Sequence, residues 1–187
     1  MSEMKIKNGG GDGTLLKISS EGRALVDSTS TAEFAHASTK HERAFVAVSQ
    51  IQAITTTGAE NGNIYFKNTG AKRVFIHSIR TCGDVQQKWR MYKNPTTGTL
   101  ISGATDAMVT NLDLASPKTA SVLCYSGGDG LTVTDGSMME HWQNDTGHSE
   151  EIFWGGLILD TGSAIALTGE IATAGDICSR ILFYEEG

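Results

Sequence analysis

From residue 44 to residue 184, short runs of β-branched and aromatic residues alternate with turns rich in Gly, Asn and Asp. Residues 63–94 show this pattern best, because three such runs are divided there by Asn68-Thr69-Gly70 and Cys82-Gly83-Asp84. Runs of this length and composition predict strands, and we expect these three to form an antiparallel meander. The chain has 22 Gly and only 2 Pro among 187 residues, which favours many short strands over helices.

Further strands are predicted at residues 44–54, 108–114, 122–125, 131–133, 138–143, 152–159, 164–168 and 177–184. Gly155-Gly156 in the middle of residues 152–159 predicts a bulge. We expect residues 164–168 to pair with residues 152–159 across the intervening turn. Roughly ten short strands without helical periodicity predict an all-β fold, a jelly-roll-like antiparallel β-sandwich.

The large apolar side chains of the predicted strands give a predicted core. Its members are Phe66, Ile76, Ile79, Trp89, Met91, Leu112, Leu157, Leu159, Ile165, Leu167, Ile181 and Phe183.

Residues 1–43 are predicted to be an extended N-terminal arm, and residues 44–187 the β-sandwich domain. Polar and glycine-rich stretches in the arm surround two short apolar runs, residues 15–18 and 24–26. Because an isolated hairpin is marginal in water, these runs either belong to the sandwich or add strands to a neighbouring subunit. The predicted partner contacts of the arm are Leu15, Leu16, Ile18, Leu25 and Val26.

Charge is distributed unevenly along the chain. Residues 64–93 carry net +6, whereas residues 94–187 carry net −11. If the three strands of 63–94 stay adjacent, part of the surface is positive and can dock on an acidic partner. The predicted basic contacts are Lys72, Arg73, Arg80, Lys88 and Arg90. The whole chain has net charge −6, which argues against nucleic-acid binding.

The three cysteines, Cys82, Cys124 and Cys178, are far apart in the sequence and odd in number. A disulfide framework or a zinc ribbon would need pairs at short spacing, so all three are predicted to be buried, reduced thiols. The first residues lack the apolar segment of a secretory signal, so we expect synthesis in the cytoplasm without a signal peptide. The chain also has no apolar run of the length that spans a membrane.

Motifs for chemistry are weak. The sequence has no Gly-x-Ser-x-Gly, no phosphate-binding loop and no His-Glu-x-x-His, so neither an enzyme nor a cofactor is predicted. The densest polar cluster contains His141, Asp145, His148, Glu150 and Glu151. These residues could hold a metal, but surface loops collect such side chains for solubility, and we expect no bound metal.

The aromatic residues allow a second interpretation. Trp142 and the other Trp and Tyr side chains could form a platform that stacks on sugars, although aromatic residues in strands more often pack in a core.

Two stretches of the sequence carry motifs that resemble those of a known family. The first begins with Ile64-Tyr65-Phe66-Lys67-Asn68-Thr69 and ends with Trp89-Arg90-Met91-Tyr92 before Asn94-Pro95-Thr96-Thr97-Gly98. The second is Trp154-Gly155-Gly156-Leu157-Ile158-Leu159, followed by Thr161-Gly162-Ser163. In these stretches the chain resembles virion proteins of tailed bacteriophages, namely small β-sandwich structural proteins encoded among the head and tail genes, and many of these carry a polar N-terminal arm.

The resemblance implies a repeated, non-catalytic virion component located in the virion. Two hypotheses follow. One is a capsid decoration (cement) subunit, expected to be a homotrimer, that binds neighbouring copies and the major capsid protein or another virion protein. The other is a tail- or fibre-associated sandwich that binds a host surface glycan through loop aromatics such as Trp142.

Overall fold

The computed structural model describes residues 5–7, 13–15, 37 and 41–186, and the side chains of residues 37, 41–149 and 156–186. The chain divides into two compact units, Met1–Ala32 and Glu33–Gly187. In the first unit, β1 (Lys5–Lys7) and β2 (Gly13–Leu15) form an antiparallel pair in which Lys5 is opposite Leu15. The remaining predicted apolar residues of the arm lie outside the described residues.

The described elements of the second unit are twelve further strands and a short helix at residues 99–102. They are β3 (Ala44–Val48), β4 (Gln52–Ile54), β5 (Glu60–Asn68), β6 (Val74–Gly83), β7 (Gln87–Lys93), α1 (Thr99–Ser102), β8 (Thr105–Asp106), β9 (Met108–Asn111), β10 (Val122–Ser126), β11 (Ser137–Asn144), β12 (Gly147–Leu159), β13 (Ala164–Ile171) and β14 (Gly175–Glu185).

These strands form two antiparallel sheets that pack face to face. The first sheet has the order β11-β7-β13-β5-β10-β8, and the second has the order β12-β6-β14-β3-β9, with β4 also paired to β14. The series β3-β14-β6-β12 and β5-β13-β7-β11 give the jelly-roll arrangement, in which the chain crosses between the sheets at β5–β6, β6–β7, β12–β13 and β13–β14. The predicted all-β, jelly-roll-like sandwich is confirmed.

The predicted meander is wrong. Its three strands exist as β5, β6 and β7, but β6 lies in the second sheet between β12 and β14. In the first sheet, β5 and β7 lie on either side of β13. The predicted pairing of residues 164–168 with 152–159 is wrong for the same reason, since β12 and β13 lie in different sheets. Turn residues mark where a strand ends, but not whether the next strand returns to the same sheet.

The core lies between the two sheets and follows the alternation of each strand. Trp89, Phe66 and Phe183 are fully buried, and the rings of Phe66 and Phe183 meet edge to face at 4.8 Å. Every predicted core residue is buried except Leu112, which is 38% exposed. The predicted strand at residues 108–114 ends earlier, at Asn111, and its inward-facing residues are Val109 and Asn111, so Leu112 is in phase with the exposed Met108 and Thr110.

The outer faces of the two sheets differ. On the first sheet, α1 brings Leu100 onto Tyr65 and Ala166. Leu131 and Val133, predicted as a strand, instead pack onto this cluster as irregular chain. The outer face of the second sheet carries the polar and sulfur-containing side chains described below. The bulge predicted at Gly155-Gly156 coincides with the register shift between Ile152 and Leu157 in the β12–β6 pairing.

Candidate interaction surfaces

The predicted partner contacts of the arm are only partly placed. Leu15 is the last residue of β2, where it pairs with Lys5. Leu16, Ile18, Leu25 and Val26 lie outside the described residues. Their predicted role as contacts stays a prediction.

Arg73 immediately precedes β6 and is neutralised by Glu186. Its Nε donates to Glu186 Oε2 at 3.1 Å, and its Nη2 donates to Oε1 of the same carboxylate. This hydrogen bonding lowers the pKa of Glu186. The guanidinium also lies 5.5 Å from the ring centroid of Phe75, within cation–π range. Neighbouring Lys72 is exposed.

Lys88 and Arg90 project from the outer face of β7 and are neutralised by two acids of neighbouring strands. Arg90 Nη2 donates to Glu170 Oε2 at 2.8 Å, and Lys88 Nζ donates to Glu170 Oε1 at 3.2 Å. Arg90 Nη1 lies 3.4 Å from Glu60 Oε1. The hydrogen bond from Arg90 is the main cause of the lowered pKa of Glu170. This outer-face network therefore links β5, β7 and β13 by charge.

Tyr92 and Thr168 complete the same network. Each hydroxyl donates to Glu60 Oε2 at 2.8 Å. Burial of the phenol, reinforced by the hydrogen bond to Glu60, raises the pKa of Tyr92 to about 12. At neutral pH the Tyr92 phenol stays protonated and serves as a hydrogen-bond donor that orients Glu60.

The positive stretch of the sequence does not form one positive surface. Lys88 and Arg90 belong to the first sheet, whereas Arg73 and Arg80 belong to the second. Acids distant in sequence neutralise three of these four basic residues. The prediction of a single basic patch assumed that the three strands of residues 63–94 are neighbours in one sheet. The jelly-roll connections place β6 in the second sheet and separate β5 from β7 in the first. Glu60 and Glu170 were missed, although an acid inside an otherwise apolar strand is a signal for a charged partner across the sheet.

Arg80 lines a groove on the outer face of the second sheet. The groove has a volume of about 570 Å³ and is mostly apolar, with Val48 and Ile51 among the lining residues. Arg180 also lines it and lies directly opposite Arg80 in the β6–β14 pairing. His148, exposed at the start of β12, lies opposite Cys82.

A disulfide between Cys82 and Cys178 lies in this groove, so the prediction of three reduced thiols is wrong for two of them. The two residues are directly opposite on β6 and β14, with their Cα atoms 5.2 Å apart. Their separation of 96 residues excludes them from any argument based on short cysteine spacing. Cys124 is free and buried, as predicted, and burial raises the pKa of its thiol to about 12.

The polar cluster predicted between residues 140 and 151 is spread over two strands. His141 is on β11 in the first sheet, and His148 is on β12 in the second. The carboxylate of Asp145, in the turn between them, accepts a hydrogen bond from Gln86 Nε2 at 3.0 Å. Within the described part of the chain, no three His, Cys, Asp or Glu side chains are grouped so that they could hold a metal ion.

The tryptophans do not form an exposed platform in the part of the chain whose side chains are described. Trp89 is fully buried. Trp142 is half-buried against the core, and its Nε1 donates to Thr81 Oγ1 at 3.1 Å. The side chain of Trp154 lies outside the described set.

Large apolar side chains are exposed at both edges of the sandwich. Met108, the first residue of the end strand β9, is 68% exposed, and Leu114, in the turn after β9, is 88% exposed. Ile51, in the connection between β3 and β4, is also exposed. Met138 and Met139 are exposed on β11, the end strand of the first sheet. Exposed apolar side chains on sheet edges are typical of surfaces that are covered in an assembly.

Comparison with known proteins found no matching family model, no matching curated protein and no matching solved structure. Among the described residues, no helix has the length and apolar character needed to cross a membrane.

Proposed function

We propose that this chain is a bacteriophage virion structural protein, a capsid decoration (cement) subunit that binds the shell and neighbouring copies of itself. The observation that carries the proposal is the exposure of large apolar side chains on the edge strand β9 and in the turn that follows it, above all Met108 and Leu114. Burying such side chains in an assembly contributes about 25 cal/mol for each Å² of apolar surface removed from water.

The separate N-terminal unit supports the same proposal. Its two paired strands have three residues each, too few for a hairpin that is stable alone in water. Pairing with a sheet edge of another copy would supply the missing hydrogen bonds and apolar contacts. The eight-residue end strand β11 offers such an edge. The proposed assembly is a homotrimer in which the arm contributes more than the surface charges, because those charges are largely neutralised within one chain.

The glycan-binding alternative has less support. It depended on a free aromatic face at Trp142, whose ring packs against the core and whose Nε1 is bonded to Thr81. We therefore propose the decoration role alone.

The first experiment tests the arm. The full chain and a variant lacking residues 1–32 are compared by light scattering at low and high salt. The deletion ends at the boundary of the first compact unit, so Ala37 keeps its packing against Ala44 and Tyr184. The expected result is a trimer for the full chain and a smaller species for the variant. A trimer that survives the deletion would show that the arm is not needed for assembly. A full-length trimer that dissociates in high salt alone would show that charge holds the subunits together.

The second experiment tests the shell. Purified chain is added to heads of the encoding phage that lack it, and bound copies are counted after sedimentation. A decoration subunit should bind on the order of hundreds of copies, as expected for a symmetric shell. Leu114→Asp should reduce binding, whereas Thr173→Asp, in the exposed β13–β14 turn, should bind as wild type. Binding of only a few copies, at one position of the particle, would contradict the proposal.

A further inference from the structure

The disulfide on the second sheet is accessible from solvent. Cys82 and Cys178 are each half-buried, and both line the groove on the outer face. Access to the sulfurs distinguishes disulfides that exchange with small thiols from those sealed in a core. This pair therefore meets the first requirement for an exchange site.

Charged side chains are arranged in the same order on both strands around the two sulfurs. Along β6 the sequence places Arg80 two residues before Cys82 and Asp84 two residues after it. On β14, which runs the opposite way, Cys178 lies between Asp176 and Arg180. All six residues line the groove. The arginines are at one end of the disulfide, and the aspartates are at the other.

The two arginines favour anions next to the sulfurs. A guanidinium near a thiol stabilises the thiolate, which is the reactive form in exchange, and it also attracts a carboxylate of an incoming molecule. His148, whose side chain is exposed, is opposite Cys82 in the strand register. Asp84 Oδ1 is occupied by the backbone N–H of Asp176 at 2.7 Å, which holds that acid at the strand end.

The groove also has the size of a small-molecule site. Its volume of about 570 Å³ falls within the usual range for such sites, roughly 300–1,000 Å³. Val48 and Ile51 provide an apolar wall beside the cationic end. A ligand with carboxylates, a thiol or disulfide, and short apolar parts fits this combination.

We propose that Cys82 and Cys178 form a reversible exchange site for small anionic thiols and disulfides of the glutathione class. In the reduced chain, one cysteine thiolate attacks a sulfur of the small disulfide, which forms a mixed disulfide and releases one thiolate. The second cysteine thiolate then attacks the mixed disulfide, closes the Cys82–Cys178 bond and releases the second small thiolate. Two electrons pass from the chain to the small disulfide, and the two protons leave with the released thiols. This proposal does not depend on the decoration role.

Cys124 provides an internal control. It is buried, and its raised pKa keeps it as a thiol at neutral pH. It should not react with glutathione disulfide while the sandwich is folded.

The experiment compares two small disulfides of opposite charge on the folded chain. The chain is reduced with dithiothreitol, desalted and mixed with oxidised glutathione, which is anionic, or cystamine, which is cationic. Mass spectrometry follows the transient mixed disulfide, and thiol titration follows closure of the pair. The expected result is that glutathione forms its adduct only at Cys82 or Cys178. Changing Arg80→Gln and Arg180→Gln together should lower the glutathione rate relative to cystamine by about threefold to tenfold.

Conservative variants separate charge from structure. Arg80→Lys with Arg180→Lys should restore most of the preference for glutathione, because the positive charges return. Circular dichroism of each variant checks that the sheets are intact. Equal preference in wild type and the Gln variant would overturn the proposal. The proposal would also be overturned if the reduced chain showed no preference between the two small disulfides and Cys124 reacted as fast as Cys82 and Cys178. That result would mean that exchange requires unfolding.

Discussion

Removing the disulfide between β6 and β14 should cost a large part of the stability of the sandwich. The bond joins residues separated by 96 positions, so it closes a long loop in the unfolded chain. For a loop of this length the chain-entropy model gives about 4.7 kcal/mol at 25 °C. Replacing Cys82 and Cys178 together by Ala should therefore lower the free energy of unfolding by about 2–5 kcal/mol, the usual range for native disulfides. A loss of 4.7 kcal/mol corresponds to a fall in Tm of roughly 9–19 °C for a domain of this size.

Urea denaturation measures this loss and tests its cause. If the bond acts on the unfolded state, the double variant should also have a larger m value, because its unfolded chain is less compact. Dithiothreitol should destabilise the wild type and leave the double variant unchanged, which serves as the control. A loss below about 1 kcal/mol, with wild type unaffected by reductant, would refute the reasoning that this bond constrains the unfolded chain.

Three further outcomes are expected. Asp135 accepts hydrogen bonds from Thr residues of the β7–α1 loop, which lowers its pKa to about 2, below the ordinary 3.8. The stabilisation of the fold by ionised Asp135 is therefore complete above about pH 4 and is lost as the pH falls towards 2. Asp135→Asn removes the titrating group, so Tm should fall less steeply between pH 4 and pH 2 in this variant. Leu159→Ala should cost about 2–5 kcal/mol in urea denaturation, whereas Leu112→Ala, at an exposed side chain, should change stability by less than about 1 kcal/mol. Gly127→Ala would place a Cβ 1.7 Å from a carbonyl oxygen of β5 and should lower the free energy of unfolding by about 1–3 kcal/mol, which a lower Tm reports. Gly128→Ala, whose Cβ would meet only Leu131 Cδ1 at 4.0 Å, should melt near wild type.

The sequence predicts the strands of this fold much better than their partners. The apolar period of two correctly placed Phe66 and Trp89 in the core, because that pattern depends only on which face is buried. The bulge at Gly155-Gly156 was also predictable, because it depends on residues that are adjacent in the sequence. The strands that pair with β6 were not predictable, because β12 and β14 are distant from it in the sequence.

The same limit applies to the partners of the charged surface residues, which the sequence did not predict. The acids that neutralise Arg90 and Arg73 are Glu170 and Glu186, and they are brought close only when β13 and the end of β14 are in place. A charge count over a window of residues cannot detect such pairs. The disulfide was not predicted for the same reason, because Cys178 is opposite Cys82 only when β14 is paired with β6. Placement of the arm residues beyond Leu15 stays a prediction.

The order of strands in the two sheets has a consequence for synthesis on the ribosome. β13 lies between β5 and β7, and β14 lies between β3 and β6, yet these are the last two strands of the described chain to be made. Until they emerge, each sheet is split into two halves with exposed inner edges and an uncovered core face. A nascent chain ending near residue 160 should therefore need protection from aggregation. Completion of β14 would join both halves of its sheet in one step and bring Cys178 opposite Cys82 only then.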